Sequence, residues 1–317
     1  MEKQNNTVNS SNALVQVIET AIKLPGVKVN RNAFLSSTFE KADQSLRERI
    51  LQVGPVEAGV SSDELMKKAK TLVTNRTLTS SAVSVAAGLP GGIAMAATIP
   101  ADTAQFFGFA LRLAQEIAYL YGEEDLWSDG NLQEDRVMNT IIIYCGVMFG
   151  AGGAAATLRV LSSQLSKQAL KKIPQMALTK TFYYPIVKSI AKALGVRMTK
   201  GIFGNAVSKA IPIVGGGVSG AITFATLKPM GYKLVRVLDE AKFSYTEEEY
   251  EADLVEIQSI AEAQDNEEKS AEAAEVKSEE VKLSFAEEIK TYKDLLDQGV
   301  LTDEEFNEIK KRLIEKI

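Results

Sequence analysis

Histidine is absent from all 317 residues, and cysteine occurs once, at Cys145. The first absence removes the side chain most used as a general base near neutral pH and the commonest metal ligand, so Ser-His-Asp triads, Cys-His dyads and HExxH zinc sites are excluded. The second excludes an internal disulfide. Cys145 lies in the apolar run IIIYCGVMF, where an inert buried thiol and a reducing compartment are expected. No GxxxxGK[ST] phosphate loop is present, and the amino end, MEKQNNTVNSSNALVQ, is polar where a signal peptide needs a continuous apolar stretch, so no export is expected. Acid is missing from one long interval. Residues 136–238 hold 14 basic side chains and no Asp or Glu, whereas 1–135 hold 12 basic and 16 acidic and 239–317 hold 10 and 25. The net charge of −5 conceals a cationic middle between two acidic ends. Solvated surfaces normally mix signs, so an anionic partner is expected to face this interval.

Formal charge of either sign is missing from three runs, 77–101, 137–158 and 210–227. The first holds 25 residues, enough to cross a hydrocarbon layer of roughly 30 Å as a helix. Its composition argues otherwise, with Leu89-Pro90-Gly91-Gly92 at the centre, Pro100 near the end, and more Ala, Ser and Gly than Leu, Ile or Phe. The expectation is a buried helical break in a compact domain, with shallow membrane contact favoured over a full span. Each run has glycines four apart: Gly88 with Gly92, Gly146 with Gly150, and Gly216 with Gly220. Small residues at this spacing let helix backbones approach closely, and these six are the expected helix-packing glycines.

What fills the rest is helical periodicity. Apolar positions recur at helix spacing and no period-2 strand with hairpin turns occurs, which predicts an all-α chain with a compact multi-helix domain. A short helix over 12–24 should stop at Pro25-Gly26, and one helix should cover 32–52 with Phe34, Phe39, Leu46 and Ile50 on one face. Ser61 and Glu64 have the spacing of a capping box, starting a helix that runs to about Asn75. Residues 101–121 predict an amphipathic helix ended by Gly122, with Phe106, Leu113, Ile117 and Leu120 on its apolar face. Asp102, Gln105, Arg112 and Glu116 form the polar stripe, and Arg112 with Glu116 suits an i,i+4 ion pair. Between Glu247 and Leu283 there are 14 acids and 3 bases, which predicts a disordered or loosely helical linker because little apolar area is available to bury. The tail, SFAEEIKTYKDLLDQGVLTDEEFNEIKKRLIEKI, reads as a helical hairpin turning at Gly299, with Thr302 and Glu305 boxing the second helix. The division expected is an extension at 1–26, a helical domain at 27–240, a linker at 241–283 and a hairpin at 284–317.

Few residues suggest chemistry. Gly150-Ala151-Gly152-Gly153-Ala154-Ala155 fits G-x-G-x-x-A, but the next acid is Asp239 and no strand–helix alternation surrounds the motif. Close helix packing is expected there, and no cofactor is assigned. The acidic stretch Glu123–Gly130 imitates the start of a calcium loop, yet Trp127 and Arg136 take the third and twelfth ligand places, which predicts a solvated turn and no metal. Asp102, with Arg112 and Glu116, forms the one candidate catalytic group, although stabilisation of a helix N-terminus is the favoured reading of Asp102. The candidates for binding an anionic membrane are Lys167, Lys171, Lys172, Lys180, Lys188, Lys192, Arg197, Lys200 and Lys209, interleaved with Phe182, Tyr183 and Tyr184. Near an anionic leaflet each such cation contributes about 1 kcal/mol. Nucleic acid is disfavoured, because no recognition motif accompanies the charge.

Three blocks, VNRNAFLSSTFEKADQSLRERILQVGPVEAGVSSDELMKKA at 29–69, AAGLPGGIAMAATIPADTAQFFGFALRLAQEIAYLYG at 86–122 and IPIVGGGVSGAITFATLKPMG at 211–231, make residues 27–238 resemble the EcsC family. The tail from Phe285 to Ile314, through LLDQGVLTDEEFNEIKKRLI, resembles the SHOCT module found at the ends of otherwise unrelated bacterial proteins. The first resemblance implies a bacterial cytoplasmic or membrane-associated protein, and a membrane protein such as an ABC transporter as candidate partner; it implies no reaction. The second implies oligomerisation or partner binding through 284–317. With the basic, acid-free interval and the charge-free runs, the reading expected is a non-enzymatic accessory or scaffold protein at the inner face of the cell membrane. Two alternatives stand beside it: a soluble scaffold whose basic middle is masked by its acidic end, and an enzyme acting on a lipid or small molecule through Asp102, Arg112 and Glu116.

Overall fold

The computed structural model describes residues 15–83, 101–127, 134–163, 165, 187–191, 193, 219–298, 300 and 302–314. The expectations attached to Gly88, Gly92 and Gly216, and to Lys167, Lys171, Lys172, Lys180, Lys192, Arg197, Lys200 and Lys209, lie outside the described residues. Among the described residues every regular element is helical, so the chain is all-α. In order these are α1 (15–22), α2 (Arg31–Thr38), α3 (Gln44–Val53), α4 (Ser62–Val83), α5 (Ala101–Leu120), α6 (Glu134–Phe149), α7 (Ala154–Ser162), α8 (Ser219–Asp239), a π-helical turn (Glu240–Ser244), α9 (Glu247–Asp297) and α10 (Asp303–Ile314). The chain divides into two compact units, Met1–Ala261 and Glu262–Ile317.

In the first unit α8 packs on α4, α5, α6 and α7. Its Gly231 makes the closest approach possible, since a Cβ there would stand 3.0 Å from Val73 Cγ1 of α4 and 3.1 Å from Leu113 Cδ2 of α5. Helix α5 supplies a long apolar surface: Ala110, Leu111, Leu113, Ala114, Ile117, Ala118 and Leu120 are all buried. Each fully buried Leu or Ile contributes about 2 kcal/mol of transfer free energy. Phe107 stacks on Phe149 with centroids 5.5 Å apart, and Phe106 meets Phe107 edge-on at 5.9 Å, fastening α5 to the end of α6. The predicted stop at Gly122 is a left-handed residue at φ +85°, where the Glu123 amide reaches back to the Ala118 carbonyl at 3.0 Å and closes the helix end.

Several sequence expectations are corrected. The single helix expected over 32–52 is two, because the chain turns at Phe39, whose amide caps α2 on the Leu35 carbonyl and whose ring is buried. Asp43 then opens α3. Helix α4 does not stop at Asn75 but continues to Val83, with the Thr74 and Thr77 hydroxyls absorbed by the carbonyls of Lys70 and Val73. The second charge-free run is not one packing helix. It breaks at Gly150 and Gly153, with φ +72° and +74°, into α6 and α7. Gly146 does pack closely, since a Cβ there would stand 2.6 Å from Ile190 Cγ2 and 2.8 Å from Ala154 Cβ. Gly150 serves the turn instead, and Gly220 lies in the first turn of α8.

The acidic stretch expected as a disordered or loosely helical linker is helical, and its start is packed rather than free. Its first part belongs to the first unit, where Ala241, Tyr250, Asp253, Ile257 and Ala261 are buried. The reason is a stripe at helix spacing, Tyr250, Leu254, Ile257 and Ala261, which gives an otherwise acidic helix one face to bury. The second unit holds the remainder of α9, the turn after it, and α10. Thr302 and Glu305 make the predicted capping box: the Thr302 amide donates to Glu305 Oε2 at 2.9 Å and the Glu305 amide to Thr302 Oγ1 at 3.3 Å. These bonds hold the Glu305 carboxyl below the usual carboxylate range.

Candidate functional site

The polar stripe of α5 is where the structure places the candidate catalytic residues. Asp102 falls in the first turn, and its side chain lies outside the described residues. Arg112 and Glu116 form the predicted i,i+4 pair, with Nε to Oε1 at 3.1 Å. The sequence did not reveal the third member. Arg76, from α4, places its Nε 2.6 Å from the other carboxylate oxygen. Glu116 is 1 % exposed, so each of its oxygens is held by a guanidinium. Arg112 also donates through Nη1 to the Gly26 carbonyl at 2.9 Å. A general base needs an oxygen within reach of a substrate proton, and this carboxylate spends both of its own inside the bundle.

Gln115, which the sequence did not single out, completes the same arrangement. It is fully buried, yet all four of its hydrogen-bonding positions are filled. Its Nε2 donates to the carbonyls of Val27 and Leu111, each at 2.9 Å, and its Oε1 accepts from the Val29 amide at 3.1 Å and Trp127 Nε1 at 2.8 Å. Lys28 closes the edge, its Nζ 4.7 Å from the Trp127 ring centroid. The available signal was its phase, since Gln115 lies one turn from Leu111 and Tyr119 on the buried side of α5. Arg112, Gln115 and Glu116 therefore lock the 26–29 segment and α4 onto α5.

A second polar knot joins chain-distant ends. Asp239, the last residue of α8, accepts from the Ser62 hydroxyl at 2.9 and 3.0 Å and from the Tyr121 hydroxyl at 3.1 Å. It stands at the first residue of α4, where a carboxylate favours the positive helix end. Burial, reinforced by Asp239, pushes the Tyr121 hydroxyl well above its ordinary range.

In the acidic turn that imitates a calcium loop, Glu123, Glu124 and Asp125 are spent on protein partners, while Asp129 and Gly130 lie outside the described residues. Glu123 lies 2.8 Å from Lys242 Nζ, Glu124 pairs with Arg136, and Asp125 accepts from the Trp127 amide at 3.1 Å and the Tyr119 hydroxyl at 3.3 Å. Among the described residues no three His, Cys, Asp or Glu side chains cluster to hold a metal. The glycine motif at 150–155 follows a helix rather than a strand, which removes the context a dinucleotide fingerprint requires. Cys145 is buried, and burial pushes its thiol up to about 12.

Of the nine membrane candidates Lys188 is described. It is exposed on the helical residues 187–191, whose Val187 and Ile190 are buried. Other cations of the acid-free interval meet acids from outside it. Arg159, on α7, makes a two-pronged contact with Asp253, Nε to Oδ2 and Nη2 to Oδ1, both at 2.8 Å. Tyr245 donates to the same Oδ2 at 2.6 Å. Glu240 lies 3.7 Å from Arg159 and 3.6 Å from Arg236. The Asp253 hydrogen bonds, above all, raise the Arg159 guanidinium further beyond its ordinary value.

Among the described residues no helix is long and apolar enough to cross a membrane. No curated protein and no solved structure matches the chain. One family model does: residues 287–314, the end of α9 and all of α10, match SHOCT, a short C-terminal domain.

Proposed function

We propose that this chain is a non-enzymatic accessory protein that binds an anionic membrane surface through its acid-free middle and self-associates or captures a partner through the SHOCT segment. The observation that carries the reading is the interval 136–238, with 14 basic residues and no acid. Its support is electrostatic: a polybasic stretch next to Gly- and Ala-rich apolar runs is suited to an anionic leaflet. The EcsC resemblance over 27–238 adds a bacterial membrane-associated setting and an ABC transporter as candidate partner. The non-enzymatic part is supported by Arg112 and Glu116, whose charged groups fasten α5 to α4 and to the loop at Gly26.

The test is co-flotation of the full chain with phosphatidylcholine vesicles and with vesicles of phosphatidylcholine and phosphatidylglycerol in equal parts, across a salt series. Binding to the anionic vesicles alone, removed by salt, is expected. Binding that survives salt would shift the reading towards inserted apolar segments, and flotation with neither vesicle would overturn it.

A further inference from the structure

We propose that residues 245–261 form a releasable strap, latched by Asp253 on Arg159, whose release frees the Arg159 guanidinium for an anionic bilayer. The ligand in this proposal rests on the membrane reading above; the mechanics rest on geometry. The strap has a defined start. The π-helical turn Glu240–Ser244 ends α8, Tyr245 is extended at φ −71° and ψ 119°, and Thr246 with Glu249 forms a capping box, 2.9 and 3.2 Å, that begins α9 afresh. An extended residue between two helices is a natural pivot.

Its footprint is narrow. The strap buries Tyr250, Asp253, Ile257 and Ala261, while Glu247, Glu248, Glu249, Glu251 and Glu256 are exposed. At one point it presses on a glycine: Ile260 Cδ1 lies 2.5 Å from where a Cβ of Gly153 would stand. Charge complementarity is one-sided, since 246–261 carry six acids and no base and rest on α7, which belongs to the acid-free interval. Its two-pronged contact is that of Arg159 with Asp253. Guanidinium binds phosphate with the same fork it uses for carboxylate. A lipid phosphate and Asp253 therefore compete for the same donors, and a bilayer that takes Arg159 removes the latch.

Hydrogen exchange and vesicle flotation of the full chain test this with two variants. Asp253→Asn removes the latch charge at constant shape, and Ile260→Ala loosens the strap without changing charge. Both are expected to speed exchange over 247–261 while α4 and α5 keep their protection, and to raise affinity for the phosphatidylglycerol-containing vesicles by about fivefold, the worth of one added arginine. If the strap exchanges no faster in either variant, or only together with α4 and α5, it is a fixed part of the core and the proposal falls. If Asp253→Asn gains affinity and Ile260→Ala does not, the gain is charge removal alone and the proposal also falls. Flotation of neither variant nor the parent would remove the membrane reading and the lipid as ligand with it, and local exchange would then decide the strap by itself.

Discussion

Helices α5 and α9 each bury an acid, and they do so in opposite surroundings. In α5 Glu116 sits among Leu113, Ile117 and Leu120, closed in by Arg76 and Arg112 from two directions. In α9 Asp253 sits at the margin of a helix whose neighbours in sequence are exposed glutamates, and one arginine with one tyrosine satisfies it. A buried ion pair contributes little net stability compared with apolar packing, but an orphaned partner is costly. The difference teaches where each contact can yield. The first cannot open without exposing a core helix; the second can open at the cost of a few side chains.

Glu116→Ala tests that contrast most severely. It leaves two guanidiniums facing each other, and because these are 38 % and 40 % exposed the loss is expected near the lower end for a broken buried pair, about 3 kcal/mol in urea unfolding. If Asp253→Asn costs as much, the two acids are equivalent and the contrast dissolves. Gly146→Ala asks whether the packing around α6 is as unforgiving as that around α5. The added methyl must displace Ile190 and Ala154, and an overpacking loss of roughly 1–3 kcal/mol is expected in the same unfolding experiment. Thr302→Ala sharpens the comparison from the other unit. Loss of the cap is expected to destabilise α10 by about 1 kcal/mol, seen as faster amide exchange over 302–314 with α5 unaffected.

The parts that were legible in the sequence are local. Helical periodicity, the Gly122 stop, the Arg112–Glu116 pair and the Thr302–Glu305 box all depend on residues a few positions apart, and each is present. The parts that were not legible are long-range. Gln115 reaches residues 86 and 88 positions away, and no local pattern fixes such partners. The burial of the acidic segment after 246 was hidden for a different reason: its charge density masks the Tyr250, Ile257 and Ala261 stripe and the Thr246–Glu249 box that signals a firm helix start. Gly150 shows the limit of spacing rules, because a pair of glycines four apart can serve a contact at one member and a turn at the other.

The bond between Ser62 and Asp239 spans 177 residues. A ribosome adding roughly 5–20 residues per second takes on the order of ten to thirty-five seconds to deliver the second partner after the first. For most of that interval, from Val83 to Ser219, α4 has been made and α8, which packs on it, has not. During synthesis Val73, which is buried in the finished chain, lacks the α8 backbone at Gly231 that packs against it. Residues 245–261 follow α8 through the π-helical turn, so the last part of the first unit to emerge is the one that brings Asp253 to Arg159.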